Sequence, residues 1–127
     1  MTYTVPSLSV VVNNYNYGQY LEQALDSALQ QLREGDELIV VDDGSTDRTR
    51  EVARAHGVHH VVGFASHQGL ARAFVLGIRA CLERGADIIV NTDADDQYNA
   101  DDIPALIAPI LRGDAEFVVG ERPIAHD

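Results

Sequence analysis

Short continuous apolar runs alternate along this chain with longer stretches in which apolar residues return every three or four positions. Leu8 to Val12, broken only by Ser9, gives way to the polar run Asn13 to Gly18 and reads as a strand entering a loop. Leu21, Ala24, Leu25, Ala28, Leu29 and Leu32 then recur at helical spacing until Glu34-Gly35-Asp36 ends the first helix. Glu37 to Val41 forms a second buried strand running into Asp42-Asp43-Gly44-Ser45-Thr46-Asp47, where Thr46 or Asp47 caps a second helix that Gly57 stops. Val58 to Phe64 predicts a weaker third strand. Ser66 to Gly69 leads into a long helix with Leu70, Ala73, Phe74, Gly77, Ile78, Cys81 and Leu82 on one face, closed by Gly85. Ala86 to Val90 is the fourth strand. A fourth helix spans Asp102 to Leu111, capped by Asp101 and Asp102 with Pro104 in its first turn, and Glu116 to Val119 supplies a fifth strand. Strands alternating with helices imply right-handed crossovers and an α/β fold around a mostly parallel sheet of about five strands.

With 127 residues and 46% hydrophobic content, the chain has material for one core, so residues 1–127 read as a single domain. The formal charge of -11 repels polyanions and argues against a nucleic-acid partner. All nine basic residues are arginine. Cys81 stands alone and suits a reducing compartment, and neither a basic leader nor a long apolar segment is present. The expected address is cytoplasmic, without a membrane span.

The most informative chemistry lies in two acidic strand ends. Asn91-Thr92-Asp93-Ala94-Asp95-Asp96-Gln97-Tyr98 follows the fourth strand, and in an open parallel sheet the ligand crevice lies beyond the carboxyl ends of the strands. Asp93 and Asp95 would enter it with a divalent cation held by oxygen ligands, one of them binding metal while the other meets ribose or a metal-bound water. Asp43, ending the second strand, can accept hydrogen bonds from a nucleotide; turn formation and capping are the ordinary alternative, favoured for Asp42 and Asp47. Arg72, in the first turn of the long helix, is balanced between a phosphate contact and a surface ion pair. Tyr15 and Tyr17 could stack on a base or simply sit half-buried. The five histidines lack metal-ligand spacing and read as structural.

Taken in order, Ser9 to Asn16, Ile39 to Asp47 and Asn91 to Tyr98 resemble family 2 glycosyltransferases of the A-type fold. The last of these stretches, with Asp102-Ile103-Pro104 and Val119-Gly120-Glu121-Arg122 after it, is most similar to the branch that includes dolichyl-phosphate mannosyltransferase and bacterial polyprenyl-phosphate sugar transferases. The resemblance implies a Rossmann-like, three-layer nucleotide-diphospho-sugar transferase fold, with a nucleotide-diphosphate sugar as donor, Mg or Mn as cofactor, and transfer with inversion. It would put Tyr15 and Asp43 at the base, Asp93 at ribose or metal, Asp95 at metal and diphosphate, Gln97 near sugar or metal, and Arg72 near the phosphates. Asn13 stands where many members carry proline or threonine, in a loop still suited to the base. The acceptor is open, a lipid phosphate being one option, which would bring the protein to the cytoplasmic face of a membrane.

Family members continue past the fifth strand into an acceptor-binding half, so the catalytic base is expected beyond Asp127 and the chain reads as the donor-binding part. The alternative is a non-catalytic or truncated nucleotide-binding module that needs a partner or the missing half. An uncovered sheet edge would favour a homo-oligomer. Rival chemistries fail on particular residues: a phosphorelay receiver needs a lysine, and a sugar nucleotidyltransferase needs a glycine-rich loop where Asn13 to Gly18 stands.

Overall fold

A computed structural model of the chain describes residues 6–16, 18–94 and 100–120. The elements follow as β1 (Leu8–Asn14), α1 (Gly18–Leu29), β2 (Glu37–Asp43), α2 (Thr49–Ala55), β3 (His60–Phe64), α3 (Leu70–Glu83) and β4 (Ile88–Asp93). A 3-10 turn, Ala100–Asp102, then leads into α4 (Ile103–Leu111). The four strands are parallel, in the order β3-β2-β1-β4. Every residue of the central strand β1 is buried, as expected for a parallel strand covered on both faces.

Alternation along the strands divides the core in two. Val10, Val12, Leu38, Val40 and Ile88 pack with Leu21 and Leu25 of α1, Ala53 of α2, and Ile103 and Ile107 of α4. Val11, Ile39 and Val41 point the other way, onto Ala73, Ala80 and Cys81 of α3. A Cβ at Gly77 would stand 2.7 Å from Cγ1 of Val11, so the missing side chain lets α3 lie close on the sheet. The chain steps from β1 to β2 to β3, then crosses back to lay β4 on the far side of β1. Right-handed crossovers in the two directions put α1 and α2 on one face and α3 on the other. The gap between β1 and β4 is therefore the switch point, where an open α/β sheet forms its ligand crevice.

Several expectations are corrected. The sheet has four strands, not five: residues 116–119 pair with no strand among the described residues, and Phe117 and Val119 remain 81% and 74% exposed. Glu116 to Val119 has strand composition, but composition alone forms no ladder, and the segment is paired to neither edge strand of this sheet, β3 or β4. The apolar face of α3 is narrower than its spacing suggests, because small residues make the contact while Leu70, Phe74 and Leu82 stay exposed. Asp102 occupies the N-cap position of α4 without a side-chain capping bond, and Asp101 accepts a hydrogen bond from Gln31 instead. In the other direction, β4 outlasts its apolar run by three residues, because its pairing with β1 continues to Asn13 opposite Asp93.

Candidate functional site

The carboxyl ends of β1, β2 and β4 and the start of α3 enclose a cleft of about 240 Å³. Asn13, Asn14 and Tyr15 line it from β1 and its loop, Asp43 from β2, Asp93 from β4, and His67, Leu70 and Ala73 from the β3–α3 side. Four of the predicted site residues, Asn13, Tyr15, Asp43 and Asp93, are thus brought together. Arg72 is not among the lining residues; it is exposed on α3, where its Nη1 donates to Gln68 Oε1 at 2.7 Å. Asp95 and Gln97, and with them Tyr17, lie outside the described residues.

Asp43 is buried and holds the β3–α3 loop. Its Oδ1 accepts the Gln68 backbone N–H at 2.8 Å and its Oδ2 the Gly69 N–H at 3.0 Å. His67 Nδ1 approaches the same Oδ2 at 2.9 Å and the Asp43 carbonyl oxygen at 3.3 Å. Both neighbours are acceptors, so Nδ1 carries the proton and donates. The loop reaches Asp43 because Gly44 leaves room: a Cβ there would lie 2.2 Å from the Ser66 carbonyl carbon and 2.3 Å from the His67 nitrogen. Gly44 also has φ +71°, a conformation that suits glycine.

Asp42, one residue earlier, faces the other way and is occupied by structure. Its Oδ1 accepts from the Ser45 N–H at 2.9 Å and its Oδ2 from Arg50 Nε at 2.7 Å. Asp47 Oδ1 accepts from the backbone N–H and the hydroxyl of Thr49 at the start of α2.

The amide of Asn13 is held from one side. Nδ2 donates to Asn91 Oδ1 at 2.7 Å, while Oδ1 is buried without a hydrogen-bond partner. An orphaned buried carbonyl is costly, by about 1–3 kcal/mol, and such atoms gather where a ligand or ion completes the site. Asn14 Oδ1 is likewise unpartnered, its Nδ2 bonded to Thr49 Oγ1 at 2.7 Å.

His67 is the site residue that sequence reasoning missed. Its ring centroid lies 3.8 Å from that of Tyr15, with the planes inclined by 32°. The available signal was positional, a ring between the end of β3 and the start of α3, at the crevice end of the sheet.

A larger hollow, about 320 Å³, opens beside Pro6, Ser7 and Asp36, away from these groups. Asp36 is consumed there by Leu8 N at 3.0 Å and Arg33 N at 2.8 Å, so chemistry favours the smaller cleft.

Parallel strands with a crevice at the switch point define an α/β ligand-binding class. The model of glycosyl transferase family 2 matches residues 9–127, and the chain belongs to that family. It is 35% identical, over 91% of its length, to 33% of a dolichol-phosphate mannosyltransferase from Pyrococcus furiosus. It is 30% identical to an undecaprenyl-phosphate mannosyltransferase from Micrococcus luteus, covering 90% of this chain and 47% of that protein. The chain spans about a third to a half of the curated relatives it matches. Glucosyl-3-phosphoglycerate synthase from Mycobacterium tuberculosis, solved with Mn2+, UDP and glucosyl-3-phosphoglycerate, superimposes with a TM-score of 0.69 at 31% identity, over 84% of this chain and 40% of that one. A Pyrobaculum calidifontis mannosyltransferase, solved with GDP-Man and Mn2+, gives 0.66 at 30% identity over 77% and 30%. The sheet and its helices have the A-type glycosyltransferase fold of these structures. No helix among the described residues is long and apolar enough to cross a membrane.

Proposed function

We propose that this chain is the donor-binding part of an inverting, metal-dependent glycosyltransferase, taking a nucleotide-diphosphate sugar and serving an acceptor that is a polyprenyl phosphate. The observation that carries the reading is the convergence of Asn13, Tyr15, Asp43 and Asp93 on one cleft at the switch point. Tyr15 offers a ring face to a base and Asp43 a carboxylate to a base N–H. The solved neighbours with UDP or GDP-Man and Mn2+ support the donor class, and the lipid-phosphate relatives support the acceptor. Such an acceptor would bring the protein to the cytoplasmic face of a membrane.

The donor set suits a hard cation. Asp93 pairs in register with Asn13, both line the cleft, and the buried Oδ1 of Asn13 is unpartnered, so a carboxylate and a carbonyl oxygen are offered there. Mg and Mn sites take one or two carboxylates and complete their shell with phosphate and water. Asp93 would hold the cation together with Asp95. When bound, the cation neutralises the diphosphate and stabilises the departing nucleoside diphosphate as a Lewis acid. The chain itself would orient the base through Tyr15 and Asp43, and the family resemblance assigns Gln97 to the sugar.

Titration calorimetry with UDP and GDP, each with Mn2+ and then with EDTA, tests the reading. Metal-dependent binding of one nucleotide, lost in Asp93→Ala, is the expected result. Affinity that ignores both EDTA and Asp93→Ala would overturn it.

A further inference from the structure

His67 imitates a nucleobase. It is a planar heteroaromatic ring, it faces the ring of Tyr15 at 3.8 Å, and its Nδ1–H points at the Asp43 carboxylate from 2.9 Å. A base in the cleft would need those same two groups, a ring face for stacking and an acceptor for its N–H. With centroids at 3.8 Å there is no space between the two rings, since a base slipped between them would need about twice a stacking distance.

We infer that His67 occupies the base subsite of the ligand-free protein and that nucleotide binding displaces its side chain. The inference rests on the donor-binding reading above. His67 is well placed for the exchange. Its side chain is 49% exposed, so it has solvent to swing into. The backbone beside it stays in place, because Gln68 N and Gly69 N remain bonded to Asp43 when the imidazole leaves. The carboxylate therefore keeps its position and regains a lone pair for the incoming base. The cleft is self-occluded, and its apparent affinity is its intrinsic affinity reduced by the fraction of molecules in which His67 is in place.

Calorimetric titration of the wild type, His67→Ala and His67→Phe with GDP and with UDP, alongside Mn2+-pyrophosphate as a base-free probe, tests this. Removing the imidazole should tighten the preferred nucleotide by about three- to tenfold, the equivalent of one aromatic pair, and leave pyrophosphate unchanged. His67→Phe, which keeps a ring on Tyr15 but frees Asp43, should fall between. In the wild type, proton NMR should show the His67 ring resonances leaving the ring-current field of Tyr15 as nucleotide is added. If His67→Ala binds the nucleotide no tighter, or tightens pyrophosphate equally, while the wild type does bind nucleotide, the occlusion is refuted and the donor site stands. If wild type and variants alike bind no nucleotide, both readings fall.

Discussion

Gly44→Ala would test how the cleft is built. The residue has φ +71°, and an L side chain in the left-handed region costs about 1–2 kcal/mol. The new Cβ would also meet backbone: 2.2 Å from the Ser66 carbonyl carbon, where ordinary contact begins at 3.4 Å. No rotamer relieves that overlap, so the β3–α3 loop must retreat. Its hold on Asp43 consists of amide bonds of 2.8 and 3.0 Å to a buried carboxylate, each worth about 1.5–3 kcal/mol. Losing one or both, with the backbone cost, gives about 3–8 kcal/mol, a large part of the 5–15 typical of a domain. Gly57→Ala is the control, since φ there is +80° but nothing lies within 4 Å of the added carbon. It should cost only the conformational part, about 1–2 kcal/mol. Urea unfolding of both variants separates the effects. Equal losses of stability would refute the argument that the glycine exists for the loop's approach.

Two further outcomes follow from groups away from the cleft. His56 bridges α1 and α2, with Nδ1 2.9 Å from Asp26 and Nε2 3.3 Å from Glu22, and the hydrogen bond to Asp26, then that to Glu22, raises its pKa. Its stabilisation is therefore complete below the unfolded value of about 6.5 and is lost as pH rises through the raised folded value. The urea midpoint of the wild type should exceed that of His56→Gln by more at about pH 5.5 than at about pH 8.5, and a constant difference would contradict the assignment. Burial pushes the Cys81 thiol up to about 11, and the side chain is fully covered. Iodoacetamide at neutral pH should label it only in urea, and labelling of the native protein at the same rate would mean that α3 does not sit as described.

The sequence carried the fold wherever one stretch of chain settles its own structure. β1 and β2 are built on the apolar runs Leu8 to Val12, broken only by Ser9, and Leu38 to Val41, and α1 buries Leu21, Leu25 and Ala28 at helical spacing. What it could not carry depends on neighbours. Asn91 and Asp93 are poor strand formers that extend β4 because β1 is alongside, whereas Phe117 and Val119 are good ones left without a strand partner among the described residues. The site divides in the same way. Asp43 and Asp93 announce themselves as acids at strand ends, and Tyr15 as an aromatic in a loop. The part played by His67 is invisible until folding brings it to Tyr15 and Asp43, residues far from it in sequence.

The order β3-β2-β1-β4 carries a further implication. Asn13 and Asp93 face each other across strands whose start is tied by Ser7 and Asp87, 80 residues apart in the chain. Neither half of this chain holds the cleft: a fragment ending at α3 lacks Asp93, and one beginning at β2 lacks Asn13 and Tyr15. Any molecule bridging the two strand ends is a non-covalent cross-link between distant segments. By linkage its binding free energy is returned as resistance to their separation, so a ligand of this cleft acts as a clasp on the whole fold.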